Sequence, residues 1–379
     1  MQKYLAVSAL LLLVLIVAFG GEVLKNRTDN SAAIGLSGAS TIPIGGIMIL
    51  SGEGAVWGEA SRNGMELAIK DINESGGVNG KQLRGIYEDD GSAPQKAVSA
   101  FYKLTGSDHA RFIIGPNWSN TGVAVAHLAE EANVVMISPS LGVKEFNESS
   151  SYLFNTWQHD DILSAKLGDI VYARGYRNVA LFGANDVWVK VQTAAFKERF
   201  EELGGKVALV YEPTVDINDE RVEIQKVLAN KTIDAVVMTT DGLGLTIMTA
   251  RQLRELGSKL PLFNITVDKN ILSHCGANCE GMIFPTSLTP TPSFEAKYET
   301  AYGREVEIGA DSAYDAVMML AEAMQATKSE DPEKVKEYLA AIKTYNGVSG
   351  TLVSDGKRAF TKDYALKRVE SGVPVDVTK

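Results

Sequence analysis

Two loops rich in serine and asparagine carry the side chains best suited to binding a small anion. The first follows the apolar stretch RFIIG (111–115) and contains Ser119 and Asn120, and the second, Ser138-Pro139-Ser140, ends the next apolar stretch. Ser and Asn are also common N-caps of helices, so capping alone is an alternative explanation of the first loop. The repetition favours binding, because adjacent hydroxyls and free amides at helix N-termini suit a carboxylate.

Two tryptophans stand in similar positions, each shortly after an apolar segment. Trp57 lies in SGEGAVWGEA (51–60) and Trp188 in GANDVWVKV. An exposed indole at the rim of a cleft can cover an apolar or cationic ligand, and the alternative is half-buried packing. The glycines around Trp57 have the spacing GxGxxxG, which does not match the dinucleotide fingerprint, so we expect no cofactor there.

Signals for catalysis or for a metal are weak. The chain has four histidines, and it shows no His-carboxylate spacing typical of metal ligands, no G-x-S-x-G elbow and no P-loop. The acidic run EDD (88–90) is more typical of a solvated or capping cluster than of paired catalytic carboxylates. We therefore predict a protein that is not an enzyme and holds no metal or cofactor.

The only two cysteines, Cys275 and Cys279, lie in SHCGANCEG. In an exported chain this spacing most simply predicts a small local disulfide. A zinc site is the alternative, but it would need more ligands than His274 supplies.

Length and charge favour a folded, two-lobed body. The chain has 379 residues, of which 45% are hydrophobic and 22% charged, and this length suits two lobes of roughly 150 residues. The formal net charge is -10, and no basic cluster is present, so a nucleic-acid partner is not expected.

The N-terminus predicts export or anchoring. Lys3 is followed by an apolar run of about fifteen residues from Leu5 to Phe19, and then by a polar stretch up to residue 40. This length fits a signal peptide better than a full membrane span of about twenty residues. We interpret residues 1–40 as a signal peptide or membrane anchor plus linker, and we place the rest of the protein outside the cytoplasm.

After residue 40, apolar strands alternate with amphipathic helices, as in parallel βαβ units. In the first helix, Met65, Ala68, Ile69 and Ile72 recur at helical spacing. The strands form two sets separated by YLFNTWQHDD (152–161), so the pattern predicts an α/β fold with two doubly wound parallel-sheet lobes. Predicted strands are 44–50, 82–88, 111–115, 133–138, 178–183, 206–211, 234–239 and 260–265.

We expect three crossings between the lobes, near residues 156, 286 and 350. The first lobe would then comprise 41–156 and 287–349, and the second 157–286 and 350–379. The run PTSLTPTPS (285–293) breaks the alternation at the second crossing. A hairpin and a closing strand are expected after residue 346.

Three stretches resemble the leucine/isoleucine/valine-binding protein family of extracytoplasmic substrate-binding proteins. They are GGVNGKQLRGIYEDDGSAPQKAVSAFYKL, FIIGPNWSNTGVAVAHLAEEANVVMISPS and SAYDAVMMLAEAM. The resemblance runs from about residue 42 to about residue 370 and implies a Venus flytrap of two lobes joined by three crossings. It also implies an ABC permease as partner, with an amino acid as ligand.

The resemblance assigns roles to individual residues. It implies that Trp57 is a first-lobe aromatic lid and that Trp188 is its second-lobe counterpart. Ser119, next to Asn120, matches the serine that binds the ligand carboxylate. Ser140 matches a residue whose backbone binds the carboxylate or the ammonium group.

Two positions depart from the family pattern. Gly142 stands where the family commonly has threonine, which removes a hydroxyl. Thr266 stands where an acidic residue commonly binds the ammonium group, with Asp268 two positions later. Asp186 offers an alternative carboxylate. If neither acid reaches the ligand, the ligand need not be an α-amino acid.

These observations predict an extracytoplasmic solute-binding protein that captures an amino acid, branched-chain or otherwise apolar, or a similar small carboxylate, and delivers it to an ABC importer. The alternative is a ligand-sensing receptor module for a separate signalling partner. The segment at the N-terminus is the only expected contact with a membrane.

Overall fold

The computed structural model describes residues 41–52, 54–240 and 244–378. The predicted signal or anchor segment, residues 1–40, lies outside the described residues. Within them, no helix has both the length and the apolar character needed to cross a membrane.

The first lobe is built on a five-stranded parallel sheet with strand order β2-β1-β3-β4-β5. Four helices connect these strands, with a short π-helical turn at Lys103–Ser107. The elements are β1 (Ile42–Met48), α1 (Ala55–Glu74), β2 (Leu83–Asp89), α2 (Pro94–Tyr102), β3 (Phe112–Ile114), α3 (Ser119–Ala132), β4 (Val135–Ser138), α4 (Lys144–Glu148) and β5 (Leu153–Asn155).

The second lobe is built on a seven-stranded sheet with a parallel centre and an antiparallel edge, in the order β15-β14-β10-β9-β8-β6-β7. Its elements are α5 (Asp160–Ala173), β6 (Asn178–Phe182), α6 (Val187–Glu202), β7 (Lys206–Tyr211), α7 (Arg221–Ala229), β8 (Ala235–Met238), α8 (Leu245–Glu255), β9 (Leu262–Asn264), α9 (Lys269–Cys275), β10 (Ile283–Thr286), β14 (Ala365–Glu370) and β15 (Val373–Asp376).

Side chains of the second sheet divide between two cores, because successive strand residues point to opposite faces. Val179 and Leu181 pack with Phe196 of α6, whereas Ala180 and Phe182 pack with the helices of the other face. Both faces are therefore covered by helices, which explains why the central strands are apolar throughout. A disulfide joins Cys275 and Cys279 beside this second core.

After β10 the chain returns to the first lobe. Three helices, α10 (Pro292–Tyr302), α11 (Ala310–Thr327) and α12 (Pro332–Ala341), join its core, followed by a small antiparallel sheet of β11 (Thr344–Gly347), β12 (Gly350–Ser354) and β13 (Phe360–Thr361). The buried carboxylate of Asp315 in α11 accepts the amides of Val348 and Ser349, which fixes the hairpin turn against the helix.

The chain passes between the two sheets at residues 156–159, 287–291 and 362–364. One side chain joins all three segments: the Gln158 carbonyl accepts the Lys362 amide at 3.1 Å, and its amide group donates to the Ser287 hydroxyl at 3.5 Å. The third crossing therefore follows β13 and not residue 350. Leu352 and Phe360 belong to the first-lobe core, because their side chains are buried there.

The α/β class with two parallel-sheet lobes agrees with the prediction. Four strands, β5, β10, β11 and β15, were not predicted. Each is only three or four residues long, and β10 contains Pro285, which is unusual inside a sheet.

Candidate functional site

The loops at the carboxyl ends of the parallel strands meet between the lobes. Strand β1 lies between β2 and β3, so the connections after β1 and β3 leave the first sheet in different directions at this point. Such a switch point opens a crevice in which ligands of doubly wound folds bind. The loops after β6 and β9 of the second lobe face it.

The first-lobe side presents hydrogen-bond donors without partners. Ser119 is the first residue of α3, and the N-cap is Trp118, whose side chain makes no capping hydrogen bond. The Ser119 hydroxyl is buried, with 4% of the residue exposed, and it has no hydrogen-bond partner among the described residues. The first amides of a helix also lack carbonyl partners within the helix. The capping explanation therefore does not apply to this serine.

The neighbouring loop is tied to the first by Asn117. Its amide group donates to the hydroxyls of Ser61 and Ser140, at 2.8 and 3.0 Å. The Ser140 hydroxyl in turn donates to the Asn117 carbonyl. Because this hydroxyl is already used between the loops, the part of Ser140 left for a ligand is its backbone. Asn120 lies beside Ser119, where its carbonyl accepts the Thr121 amide at 2.7 Å.

Trp57 is not the exposed indole expected from its sequence position. It lies in the first turn of α1 with 8% of its surface exposed, and its ring meets that of Trp118 edge-on at 6.1 Å. Trp157 and Ile308 complete this cluster. The cluster forms an aromatic wall of the crevice.

Asp186 and Trp188 form part of the second-lobe side. Asp186 is the N-cap of α6, and its carboxylate accepts the amides of Trp188 and Val189 at 2.9 and 3.3 Å. The Trp188 ring packs against apolar residues of both lobes. Both residues line the crevice.

Asp160, the first residue of α5, was not among the predicted site residues. Its two carboxylate oxygens accept the indole N–H groups of Trp157 at 3.1 Å and Trp188 at 2.5 Å. Burial raises the pKa of Asp160 to about 6, against the lowering effect of these two hydrogen bonds. The acid is therefore placed in the crevice by two neutral donors.

Gly142 and Asp268 lie next to the crevice without lining it. A Cβ atom at Gly142 would lie 1.6 Å from Oδ2 of Asp160, so the carboxylate occupies the space of a side chain there. Asp268 caps α9 through the Ile271 amide at 2.8 Å. Burial raises the pKa of Asp268, and hydrogen bonds from amides and from Trp57 oppose this. Thr266, between β9 and α9, does line the crevice.

An ion pair joins the two sides next to Asp268. The Lys269 ammonium group lies 2.9 Å from Glu305 and 3.5 Å from Glu307. Burial raises the pKa of Glu307 to about 7, although Lys269 lowers it. Together with the Trp57–Asp268 contact, this pair holds the lobes against each other.

The crevice encloses a cavity of about 240 Å³. At about 30 Å³ for each water molecule in the liquid, this volume would hold about eight waters, which suits one small molecule. Seven of the nine residues predicted for the ligand line it: Trp57, Ser119, Asn120, Ser140, Asp186, Trp188 and Thr266. The other lining residues are Asn117, Trp118, Trp157, Asp160, Val187, Val215 and Ile308.

The residues that sequence reasoning missed fall into three kinds. Trp118 and Asn117 belong to the same GPNWSN loop as Ser119, so the motif itself indicates that they lie close to the ligand. Trp157 and Asp160 belong to YLFNTWQHDD, which was interpreted only as the junction between lobes. No sequence signal pointed to Ile308.

Comparisons with known proteins agree with this geometry. The model of a family described as periplasmic binding protein matches residues 41–373. A Leucine-, isoleucine-, valine-, threonine-, and alanine-binding protein of Pseudomonas aeruginosa is 27% identical over 357 residues, which is 90% of each chain.

Solved structures show the same fold. A leucine binding protein from Thermotoga maritima has a TM-score of 0.81 and 22% identity, over 89% of this chain and 98% of that one. A solute binding protein from R. palustris in complex with 4-hydroxybenzoate also has a TM-score of 0.81, with 21% identity over 89% of this chain and 96% of that one.

The family match covers most of the chain, and it agrees with the resemblance found in the sequence and with the prediction that the protein is not an enzyme. It also implies a location outside the cytoplasm. The chain belongs to the periplasmic binding protein family and is an extracytoplasmic binding protein.

Proposed function

We propose that this protein captures an amino acid, branched-chain or otherwise apolar, or a similar small carboxylate, and delivers it to an ABC permease. The observation that carries the proposal is the buried hydroxyl of Ser119, which has no partner among the described residues and lies on the cavity at the start of α3. A buried donor without a partner is costly, and a ligand carboxylate would satisfy it together with the first amides of the helix.

The rest of the cavity suits an apolar side chain. Its walls include the rings of Trp57, Trp118 and Trp157 together with Ile308 and Val215. Relatives and structural neighbours named for leucine, for several aliphatic amino acids and for 4-hydroxybenzoate support a small ligand that combines a carboxylate with an apolar part.

The mechanism we infer is closure around the ligand. The hydroxyl and amides belong to the first lobe, whereas Asp186 and Trp188 belong to the second. A ligand makes both sets of contacts only when the lobes are closed, so it shifts the population towards the closed form. The permease would then recognise this form. The lobe boundaries, with the third crossing at residues 362–364, and an N-terminal anchor that keeps the protein at the membrane are part of the same proposal.

A thermal-shift screen of the purified protein tests the proposed ligand class. The screen uses the aliphatic and aromatic amino acids, their amides, and simple aliphatic and aromatic carboxylates. A ligand at 100 times its dissociation constant should stabilise the protein by about 2.7 kcal/mol. Leucinamide is the matched control for leucine, because it lacks only the carboxylate. Stabilisation by no compound, or equal stabilisation by amides, would contradict the proposal.

A further inference from the structure

A buried lysine contacts the cavity wall from the third crossing. The side chain of Lys362 is 1% exposed, and its ammonium nitrogen lies over the ring of Trp157, 5.3 Å from the ring centroid. This distance is within the range of a cation–π interaction. Trp157 belongs to the first crossing and lines the ligand cavity, whereas Lys362 is not among the lining residues. Lys362 therefore contacts a residue that faces the ligand without reaching the ligand itself.

The stability of the fold does not account for this lysine. Its ammonium nitrogen lies 3.6 Å from Oδ2 of Asp311, at the start of α11, and this oxygen has no hydrogen-bond partner among the described residues. The ammonium group can donate three hydrogen bonds, but the described residues accept only one, at the Ser349 carbonyl, 3.3 Å away. Removing two charges from water is costly, and a buried pair with incomplete hydrogen bonding offsets little of that cost.

The contacts of Lys362 join the first and third crossings around one indole. The backbone amide of Lys362 donates to the Gln158 carbonyl at 3.1 Å, and its side chain reaches the neighbouring Trp157. The ion pair and the remaining hydrogen bond of the lysine go to the first lobe. The indole N–H of Trp157 donates to Asp160 at 3.1 Å. The indole is therefore held at its edge by α5 and on its face by the third crossing.

We propose that Lys362 is a positioning residue for ligand binding: from the third crossing it holds the indole of Trp157 in the orientation that forms the cavity wall. This inference rests on the proposed function, because it concerns the cavity in which the ligand is bound. A wall that is fixed before the ligand arrives costs less conformational entropy on binding than a wall that the ligand must order. Because this wall suits the apolar part of a ligand, ligands with and without an amino group benefit alike.

A neutral double variant, Lys362→Met with Asp311→Asn, tests the proposal. Methionine removes the cation and keeps an unbranched side chain. Asparagine avoids an unpaired buried carboxylate and keeps an oxygen that can accept the Ser312 amide. Isothermal titration measures the affinities for leucine, phenylalanine, 4-methylpentanoate and 4-hydroxybenzoate. Each compound that binds the unchanged protein should bind the neutral double variant about fivefold more weakly, whereas the melting temperature without ligand should stay the same or rise.

The matched control is Lys357→Met with Glu148→Gln. These two residues form an exposed ion pair of 3.0 Å near the same crossing, and neither lines the cavity. Removing both of these charges should leave the affinities unchanged.

A double-mutant cycle shows whether Lys362 acts through the indole. Trp157→Leu removes the aromatic wall and should weaken binding by about 20-fold. When the neutral double variant is added to Trp157→Leu, the further loss should be less than about twofold, because the cation has no indole left to position. A residue that served only the stability of the fold would lower the affinity to the same degree with and without the indole.

The possible results separate this inference from the proposed function. Unchanged affinity in the neutral double variant, or an additive loss in the Trp157→Leu background, would overturn the inference and leave the proposed function intact. If none of the four compounds bound the unchanged protein, the proposed function would fail and the inference with it. Should the neutral double variant fail to fold, Lys362→Gln with Asp311→Asn takes its place with the same expected loss, because it keeps hydrogen-bonding groups at both positions.

Discussion

The two sides of the cavity differ in charge and in how far their polar groups are already satisfied. The first-lobe side offers neutral donors, and the Ser119 hydroxyl there has no partner among the described residues. The second-lobe side and the adjoining crossing offer two carboxylates, Asp160 and Asp186, whose oxygens already accept hydrogen bonds. The first-lobe side therefore has a donor that lacks an acceptor, and the second-lobe side has carboxylates that lack a cation among the described residues. A ligand with an anionic and a cationic end completes both.

The largest expected effect comes from a substitution at Gly142, whose backbone faces Asp160 on the acidic side of the cavity. The acidic side is the second-lobe side with the adjoining crossing, which carries Asp160 and Asp186. Gly142→Ala places a methyl group where Oδ2 of Asp160 now lies, so the carboxylate must move and its bond with Trp188 is lost. Loss of an interaction with a charged group predicts about 30-fold weaker binding of the preferred amino acid, measured by isothermal titration.

The control for this change is Gly106→Ala, which adds a methyl group in open space. It should leave affinity unchanged. The carboxylate ligands without an amino group should bind Gly142→Ala about as well as the unchanged protein. If both ligand classes lost affinity equally, the change would have disturbed the whole cavity and the two sides could not be separated in this way.

The second expected effect is a dependence of affinity on pH that only the acidic side produces. Burial raises the pKa of Asp160 to about 6, so the free protein takes up a proton there as the pH falls below that value. We expect the ammonium group of an amino-acid ligand to pair with the ionised form of Asp160. Affinity for the amino acid should therefore fall about tenfold between pH 7 and pH 5, measured by isothermal titration.

The contribution of Asp160 to the stability of the unliganded protein should depend on pH in the direction opposite to that of the affinity. The pKa of Asp160 in the folded protein lies above its ordinary value of 3.8, so the folded state binds more protons between about pH 4 and pH 6. This contribution to the free energy of unfolding falls as the pH rises through that window.

The control for the pH dependence of affinity is Asp160→Asn, in which the affinity should no longer change with pH. A pH dependence that persists in this variant would have to come from other groups, such as Glu307.

The same contrast explains what the sequence could predict. The first-lobe side of the cavity, here called the donor side, could be predicted from local rules. A strand, a turn with serine and asparagine, and the start of a helix form one continuous segment around Ser119. The class of fold follows from the alternation of apolar strands and amphipathic helices. These features depend on neighbours in the sequence, and their predicted positions differ from the observed ones by only a few residues.

The acidic side depends on contacts between distant segments. Asp160 acquires its surroundings from Trp157, Trp188 and Gly142, which come together only when the first crossing and α6 meet. Trp57 was expected to be exposed, and it is buried because Trp118 and Ile308 pack on it from other segments. The third crossing was placed too early for the same reason, since only tertiary packing shows that Leu352 belongs to the first-lobe core.

The smallest expected effect comes from the donor side. Ser119→Ala removes a hydroxyl that has no partner among the described residues of the unliganded protein, so the melting temperature without ligand should stay the same. One lost hydrogen bond to the ligand predicts about fivefold weaker binding. The control is Ser99→Ala, whose exposed hydroxyl bonds only the Gln95 carbonyl of its own helix. Leucine and 4-methylpentanoate should lose affinity equally in Ser119→Ala, because both keep the carboxylate, whereas Asp160→Asn should affect leucine alone. A loss confined to leucine in Ser119→Ala would mean that this hydroxyl contacts the amino end, and the assignment of the two sides would have to be reversed.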